Sequence, residues 1–474
     1  MHSRFQTYQA IFVIWTFLVA PSLENLRAKS TVQTQEPSIS QVREEYVMRF
    51  LEPAPHMALA KYFRDKGNPL QAFYILETAR RGRFEEDEFN KAFASAFGGS
   101  QPPDSSQATE VTLLREHARE PNSIQPIVKL ADIYISRENW KKAEEYILKA
   151  IQLQPEDFEN IEALAEVFHR EGKLEDRDRL LREYAQKYSG TLDGYRLRIG
   201  EVAERDPDKA KLLLLEANKK FPQEGSFVFD LGTTYTREGK LEQAEEHYVR
   251  AAEMSPNSVY IQAWVGRFFY KIRKDERRAL NYYLRAYFLD PHAYETEFVE
   301  SRIGKANAVV ARVDYERLRK SGVPLIKVLE DPNPAVVYIA LEEMSAKWDP
   351  AYLKILIDLM GHDDSGVRWY AMQMIADKVN RSFDETLRGL LNDSDLRKRG
   401  LAAYIAVHLW KQDSFGVMRA MLKEESQLLR FDAVSALMLE GGAEGRAIVS
   451  EHLPHESQPS LRKLIESALK PEKN

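Results

Sequence analysis

Gly225 to Ser258 reads GSFVFDLGTTYTREGKLEQAEEHYVRAAEMSPNS, and the order of small and large side chains in it decides the fold. Gly232 and Ala251 are small enough to let two antiparallel helices approach, while Tyr235 and Tyr248 fill the gap beside them. Pro256 stops the second helix, because a proline inside a helix removes a hydrogen bond and clashes with the preceding turn. The stretch is therefore expected to form a helical hairpin.

The same order recurs along the chain. Ala143, Arg177, Ala210, Ala244 and Ala279 follow one another at intervals of 34, 33, 34 and 35, and Pro155, Ser189, Pro222, Pro256 and Pro291 repeat that spacing. A fixed period in this range marks hairpins stacked into a solenoid. Copies start near Ile124 (Leu130, Ala131, Tyr134, Ala143, Ala150), Phe158 (Leu164, Ala165, Phe168, Gly172) and Val259 (Val265, Gly266, Phe269, Ala279, Ala286). The copy near Thr191 departs, with Arg198 where a small residue belongs, and its first helix is expected to be displaced. An earlier unit lies over Pro53 to Arg80, with Leu59, Ala60, Phe63, Ala72, Leu76 and Ala79 in order. With Leu231, Gly232, Tyr235, Gly239, Ala244, Tyr248, Ala251 and Pro256 at its signature places, the sequence resembles the tetratricopeptide-repeat (TPR) family.

A second period begins after Gly322. Val336, Val367, Leu396, Leu429 and Leu461 follow one another at intervals of 31, 29, 33 and 32, and Arg368, Arg397, Arg430 and Arg462 come directly after the last four. Asp331, Asp363, Asp393 and Glu424 stand a few places earlier. This pattern resembles the short HEAT-like repeat family, whose best-known members include phycobilisome lyase subunits. The resemblance implies that the acid can cap the second helix of each pair and that the arginine can meet a neighbouring repeat's acid. It also leaves open an enzyme, or an enzyme accessory, related to the chromophore lyases.

The expected fold is all-α, two stacked α-solenoids, a TPR array followed by a HEAT-like array. Residues 1–28 read as a signal peptide or short anchor, because Arg4 precedes an apolar run from Ala10 to Ala20 that is too short to span a bilayer core. A flexible leader is expected over 29–40, a TPR-like unit over 41–97, and a linker with an orphan helix over 98–123. The TPR array follows over 124–292, a junction helix over 293–321 and HEAT-like repeats over 322–470. Export places the protein in the periplasm, envelope or extracellular space, with membrane anchoring as the alternative.

Composition narrows the chemistry. With 44% hydrophobic and 30% charged residues the chain can bury a core, and its formal charge of -6 shows neither a nucleic-acid footprint nor an acidic tail. The absence of cysteine excludes disulfides, thiolate nucleophiles and Cys-ligated metals. No phosphate-binding glycine loop, HExxH or GxSxG occurs, so no catalytic residue, cofactor or metal site is assigned. His452 and His455, beside Pro454, read as solvated loop residues, and Trp348, Trp369 and Trp410 as core.

The resemblance to TPR proteins implies that the first helices line a concave groove. Its groove places fall on Glu159, Glu162, Glu166 and His169, then Tyr195, then Phe229, Thr233 and Arg237, then Tyr260, Arg267, Tyr270 and Lys271. The groove should thus run from acidic to basic and aromatic. Arg237, Arg267 and Lys271 are expected to hold an acidic or extended peptide segment, with Tyr260 and Tyr270 giving apolar contact. The expected partners are proteins or peptides. A basic stretch from Arg267 to Lys320 allows peripheral contact with an anionic membrane surface, and nucleic acid is not expected for an exported chain.

Overall fold

The computed structural model describes residues 37–80, 84, 86–97, 110–203, 205–290 and 294–470. Among them every regular element is helical and no strand occurs, so the chain is all-α and built of helical repeats. The segment expected as a signal peptide or anchor, residues 1–28, lies outside the described residues. Of the leader expected over 29–40, only residues 37–40 are described, and there Ser38 and Gln41 form a reciprocal cap that starts the helix Ile39–Met48. Packing divides the chain into two units, the described residues within 103–261 and those within 30–102 together with 262–474.

The first unit stacks four hairpins: Ile124–Ser136 with Trp140–Leu153, Phe158–Arg170 with Leu174–Lys187, Leu192–Val202 with Pro207–Lys220, and Gly225–Arg237 with Leu241–Met254. Size complementarity works as the sequence requires. A Cβ on Gly232 would stand 2.9 Å from the Tyr248 ring, so only glycine lets the two helices lie this close. The helix Glu110–Arg119 adds a half hairpin, placing Leu113 in one cluster with Ile127, Leu130, Ala143 and Ile147. Arg198 is accommodated by turning outward, where its guanidinium donates to the Ser189 carbonyl at 3.3 Å, and Leu214 takes the place that Tyr248 holds one repeat later.

Three of the hairpins turn through one left-handed residue. Gly172 and Gly239 take φ of +76° and +73°, but Glu138 takes the same conformation at +55°. A side chain there crowds its own carbonyl, whereas glycine does not. Glu138→Gly is expected to raise the stability of the first unit by about 1 kcal/mol, read as a higher urea midpoint. An unchanged or lower midpoint would show that the turn is unstrained.

In the second unit, the helices Pro334–Ala346, Ser365–Lys378, Leu396–Trp410, Gln427–Glu440 and Pro459–Leu469 start at evenly spaced caps: Asn333, Asp364, Asp395, Ser426 and Gln458, at intervals of 31, 31, 31 and 32. Each uses its side chain to accept from a first-turn N–H. Asp331, Asp363, Asp393 and Glu424, expected as caps, therefore have other roles. Asp331 and Asp393 accept from the backbone N–H of the caps Asn333 and Asp395, at 2.8 and 2.7 Å, and so hold the capping residue in place. Asp363 and Glu424 accept from arginines instead, Asp363 from Arg43 and Arg397 and Glu424 from Arg399.

Alignment on the caps also moves the third copy two places along, making Arg399 and not Arg397 the equivalent of Arg368 and Arg430. The arginine ladder is partial. Arg399 donates to Glu424 and Arg430 to Glu456 at 3.0 Å, each an acid of the following repeat, while Arg368 donates to the carbonyls of His362 and Asp363 in its own loop. Trp410 is buried, whereas Trp348 and Trp369 are half-buried.

The amino-terminal helices Ile39–Met48, Pro53–Asp65 and Pro69–Arg80 belong to this second unit and meet its cap line directly. The Ser426 hydroxyl donates to the Val47 carbonyl at 2.7 Å, the Leu51 N–H to Gln427 at 2.8 Å and the Asn68 amide to the Pro332 carbonyl at 3.0 Å. Phe50 packs on Phe431 with ring centres 5.4 Å apart. Segments from the two ends of the chain thus share one core.

Candidate functional site

The division between the units falls inside the helix Val259–Phe268, so the five candidate groove residues separate into two sets. Arg237 and Tyr260 belong to the first unit. Arg237 is exposed at the end of its helix, but Tyr260 is only 9% exposed and packs edge-on against Phe229 at 5.5 Å. Its ring is therefore core, and the apolar contact expected of it is already made within the chain.

Arg267, Tyr270 and Lys271 belong to the second unit. The Arg267 guanidinium lies 4.5 Å from the centre of the Trp264 ring, a cation–π arrangement that holds it against an aromatic plane. Tyr270 is half-buried, with the Arg302 guanidinium 5.3 Å from its ring centre. Lys271 is exposed. By sequence Arg302 belongs only to a general basic stretch, and it is the fold that brings it to Tyr270.

A local insertion shapes this set. Gly232 and Gly266 keep the usual interval of 34, but Ala244 and Ala279 stand 35 apart, so one extra residue enters between them in the repeat that starts at Val259. It is absorbed as a π turn over Phe269–Arg273, closed by the Lys274 N–H donating to the Phe269 carbonyl, with Lys274 left-handed at φ +55°. Such single π turns interrupt an α-helix at a cost and concentrate at functional positions. Tyr270 and Lys271 both sit in it.

The first unit carries a second constellation that is largely hidden in the sequence. Glu162, Arg196 and Asp230 occupy equivalent places on three successive first helices, one repeat period apart, and all three are half-buried. Arg196 is tied down, donating to Asp193 at 2.9 Å and to Glu224 at 3.3 Å. Burial pushes the Glu162 carboxyl up to about 7, helped by the charge of Asp193 and opposed by that of Arg196. Burial likewise pushes Asp230 up to about 7, against Arg196 and Arg237. Both acids therefore exchange protons near neutrality. Only Glu162 falls on a groove place expected from the sequence; stepping one and two repeat periods onward from it reaches the other two.

No set of three or more His, Asp or Glu among the described residues is placed to hold a metal ion. His452, expected as a solvated loop residue, instead ends the helix Gly442–His452, with its ring nitrogen 3.1 Å from the buried Glu456 carboxylate. No described helix is long and apolar enough to cross a membrane.

The sequence model of the tetratricopeptide repeat matches residues 125–157 and 226–258. A segment of 117 residues is 28% identical to anaphase-promoting complex subunit 3 of Schizosaccharomyces pombe, covering 25% of this chain and only 17% of that protein. Among solved structures, YrrB, a TPR protein with an unusual peptide-binding site, is 13% identical and covers 41% of this chain and 100% of its own, with a TM-score of 0.25. Pseudomonas aeruginosa pilF is 22% identical, covering 42% of this chain and 93% of its own, with a TM-score of 0.28. The human IFIT1 dimer is 15% identical, covering 84% of this chain and 85% of its own, with a TM-score of 0.31. The matched residues 125–157 and 226–258 are the first and fourth hairpins of the first unit, and the chain carries tetratricopeptide repeats.

Proposed function

We propose that this chain is a non-catalytic scaffold or adaptor that holds protein partners outside the cytoplasm, with an extended, acidic peptide segment as its ligand. The observation that carries the reading is the basic and aromatic set Arg267, Tyr270 and Lys271 on a repeat with an inserted π turn. A guanidinium held on an aromatic plane is pre-oriented for a carboxylate, so little freedom is lost when the ligand binds. Arg237 offers a further exposed guanidinium on the first unit. The apolar run from Ala10 to Ala20 supports export, and the evenly capped period after Gly322 supports a HEAT-like array. Peripheral contact with an anionic membrane is a secondary use of Arg273, Lys274 and Arg277, which are exposed on the same repeat.

Reversing the two accessible charges tests this. Arg267→Glu with Lys271→Glu is expected to reduce partner capture from membrane and soluble extracts by about tenfold or more, because both groups would repel an acidic segment. Undiminished capture by a correctly folded variant would eliminate the reading.

A further inference from the structure

We propose that Tyr283, Arg267 and Arg302 form a carboxylate-binding pocket that takes one Asp or Glu side chain of an acidic peptide segment. The proposal rests on the peptide-binding reading above and names the chemical group that the second unit recognises. Its starting point is a difference between two otherwise equivalent hairpins. In the hairpin of Gly225, the Tyr248 ring lies against Gly232 and its hydroxyl is satisfied by Thr233 at 3.1 Å and Thr236 at 3.5 Å. In the hairpin of Val259, the Tyr283 ring lies against Gly266 in the same way, a Cβ there standing 2.7 Å from it. Counted from the two glycines, however, the places of Thr233 and Thr236 are filled by Arg267 and Tyr270.

Neither replacement satisfies the phenol. Tyr283 is 0% exposed, and its hydroxyl has no hydrogen-bond partner among the described residues. A buried O–H without an acceptor is rare in folded proteins, because its lost hydration is not replaced. What surrounds it is positive: burial raises the phenol's pKa, and the charges of Arg302 and Arg267 oppose that rise. The Tyr270 ring, 6.4 Å from that of Tyr283, forms a wall and carries the Arg302 guanidinium on its face. Arginine can only donate hydrogen bonds, and a phenol kept protonated donates as well. A ligand that only accepts completes such a set.

A carboxylate fits these requirements. It is flat, carries one charge, and can accept from the Tyr283 hydroxyl with one oxygen while its other lone pairs meet the guanidiniums. The flanking Tyr270 and Trp264 rings suit the methylene groups of an acidic side chain. Because the hydroxyl is shielded from solvent, the carboxylate enters between the side chains of Arg267, Tyr270 and Arg302. Of these, Tyr270 sits in the π turn, where the helical ladder is already broken and its ring can shift to admit the ligand. Arg267 and Arg302 keep their present contacts, since each guanidinium has five N–H donors.

The test uses the full chain and a fluorescent, N-acetylated and C-amidated hexaglutamate peptide, with hexaglutamine as its neutral control. Tyr283→Phe removes one buried oxygen and keeps the ring against Gly266, so the fold survives; Tyr248→Phe is the matched variant in the other hairpin. Hexaglutamate is expected to bind the wild type, with Tyr283→Phe weakening it about tenfold and Tyr248→Phe leaving it unchanged. Hexaglutamine should not bind, and millimolar inorganic phosphate should not displace the acidic peptide. Equal affinity in Tyr283→Phe and wild type would overturn the pocket, as would displacement by phosphate. If Arg267→Glu with Lys271→Glu abolishes partner capture while hexaglutamate fails to bind or ignores Tyr283→Phe, the pocket falls and the scaffold reading stands. Undiminished capture in that double variant removes the scaffold reading on its own.

Discussion

Replacing Asp363 by alanine is expected to destabilise the second unit by about 3 kcal/mol, a large share of the marginal stability of any folded unit. The carboxylate is 11% exposed and accepts from two arginines that are distant in sequence. Arg43, in the amino-terminal helix Ile39–Met48, donates through Nε at 2.8 Å, and Arg397, in the helix Leu396–Trp410, donates through Nη1 at 2.8 Å. Burial by itself would raise the Asp363 pKa, but the hydrogen bond from Arg43 and the charges of Arg43 and Arg397 hold it below the ordinary carboxylate range. Its removal leaves the Arg397 guanidinium, 10% exposed, with only Asp395 for company. An incompletely paired buried charge costs more than the original pair was worth, and the remaining Asp395 contact places the loss at the lower end of the usual range.

The same carboxylate predicts how the unit responds to acid. A folded-state pKa below the unfolded value of 3.8 means that Asp363 stabilises the fold at neutral pH and loses that contribution as pH falls below about 4. Urea unfolding of wild type and Asp363→Ala at pH 7, followed by helical circular dichroism, measures the difference. A change under about 1 kcal/mol would show that the amino-terminal helix is held by its other contacts, the Ser426 hydrogen bond to Val47 among them, and not by Asp363.

The opposite pH behaviour is expected in the first unit. Glu162→Gln combined with Asp230→Asn should raise stability at pH 8 by about 2 kcal/mol and have little effect near pH 4. Both acids have folded-state values near 7, above their unfolded values of 4.5 and 3.8. The native state therefore holds protons that the unfolded chain releases, and stability declines as pH rises between those limits. Neutral amides of the same shape remove that penalty. The two shifts taken at full weight would imply a larger gain, but half-buried carboxyls retain some water, which screens them. Thermal unfolding at pH 4, 6 and 8 reads the trend; a gain independent of pH would show that the acids are ionised throughout.

Much of the fold was legible in residue size. Gly232 beside Tyr248, Gly266 beside Tyr283 and the glycine turns at 172 and 239 form contacts within one hairpin, so their chemistry repeats with the hairpin and shows as a period. The caps of the second unit repeat too, but at places one or two positions from the acids first assigned to them, because aspartate serves both as a cap, at Asp395, and as a brace for a cap, at Asp331 and Asp393. Of the residues placed in the groove from the sequence, Arg237 and Lys271 are exposed. Tyr260 is not, since whether an aromatic at a groove place faces outward depends on the neighbour, here Phe229.

The sequence by itself determined that this chain is an array of helical hairpins, because the alternation of small and large residues acts over about 34 positions and leaves a repeated trace. Only the tertiary structure decided that the amino-terminal helices complete the second unit, that Asp363 joins Arg43 to Arg397, and that the Tyr283 hydroxyl lacks the partners Tyr248 has. The contacts of the amino-terminal helices join groups that lie far apart along the chain, as Arg43 does with Asp363 and Ser426 with Val47, and a pairing made once leaves no period to read.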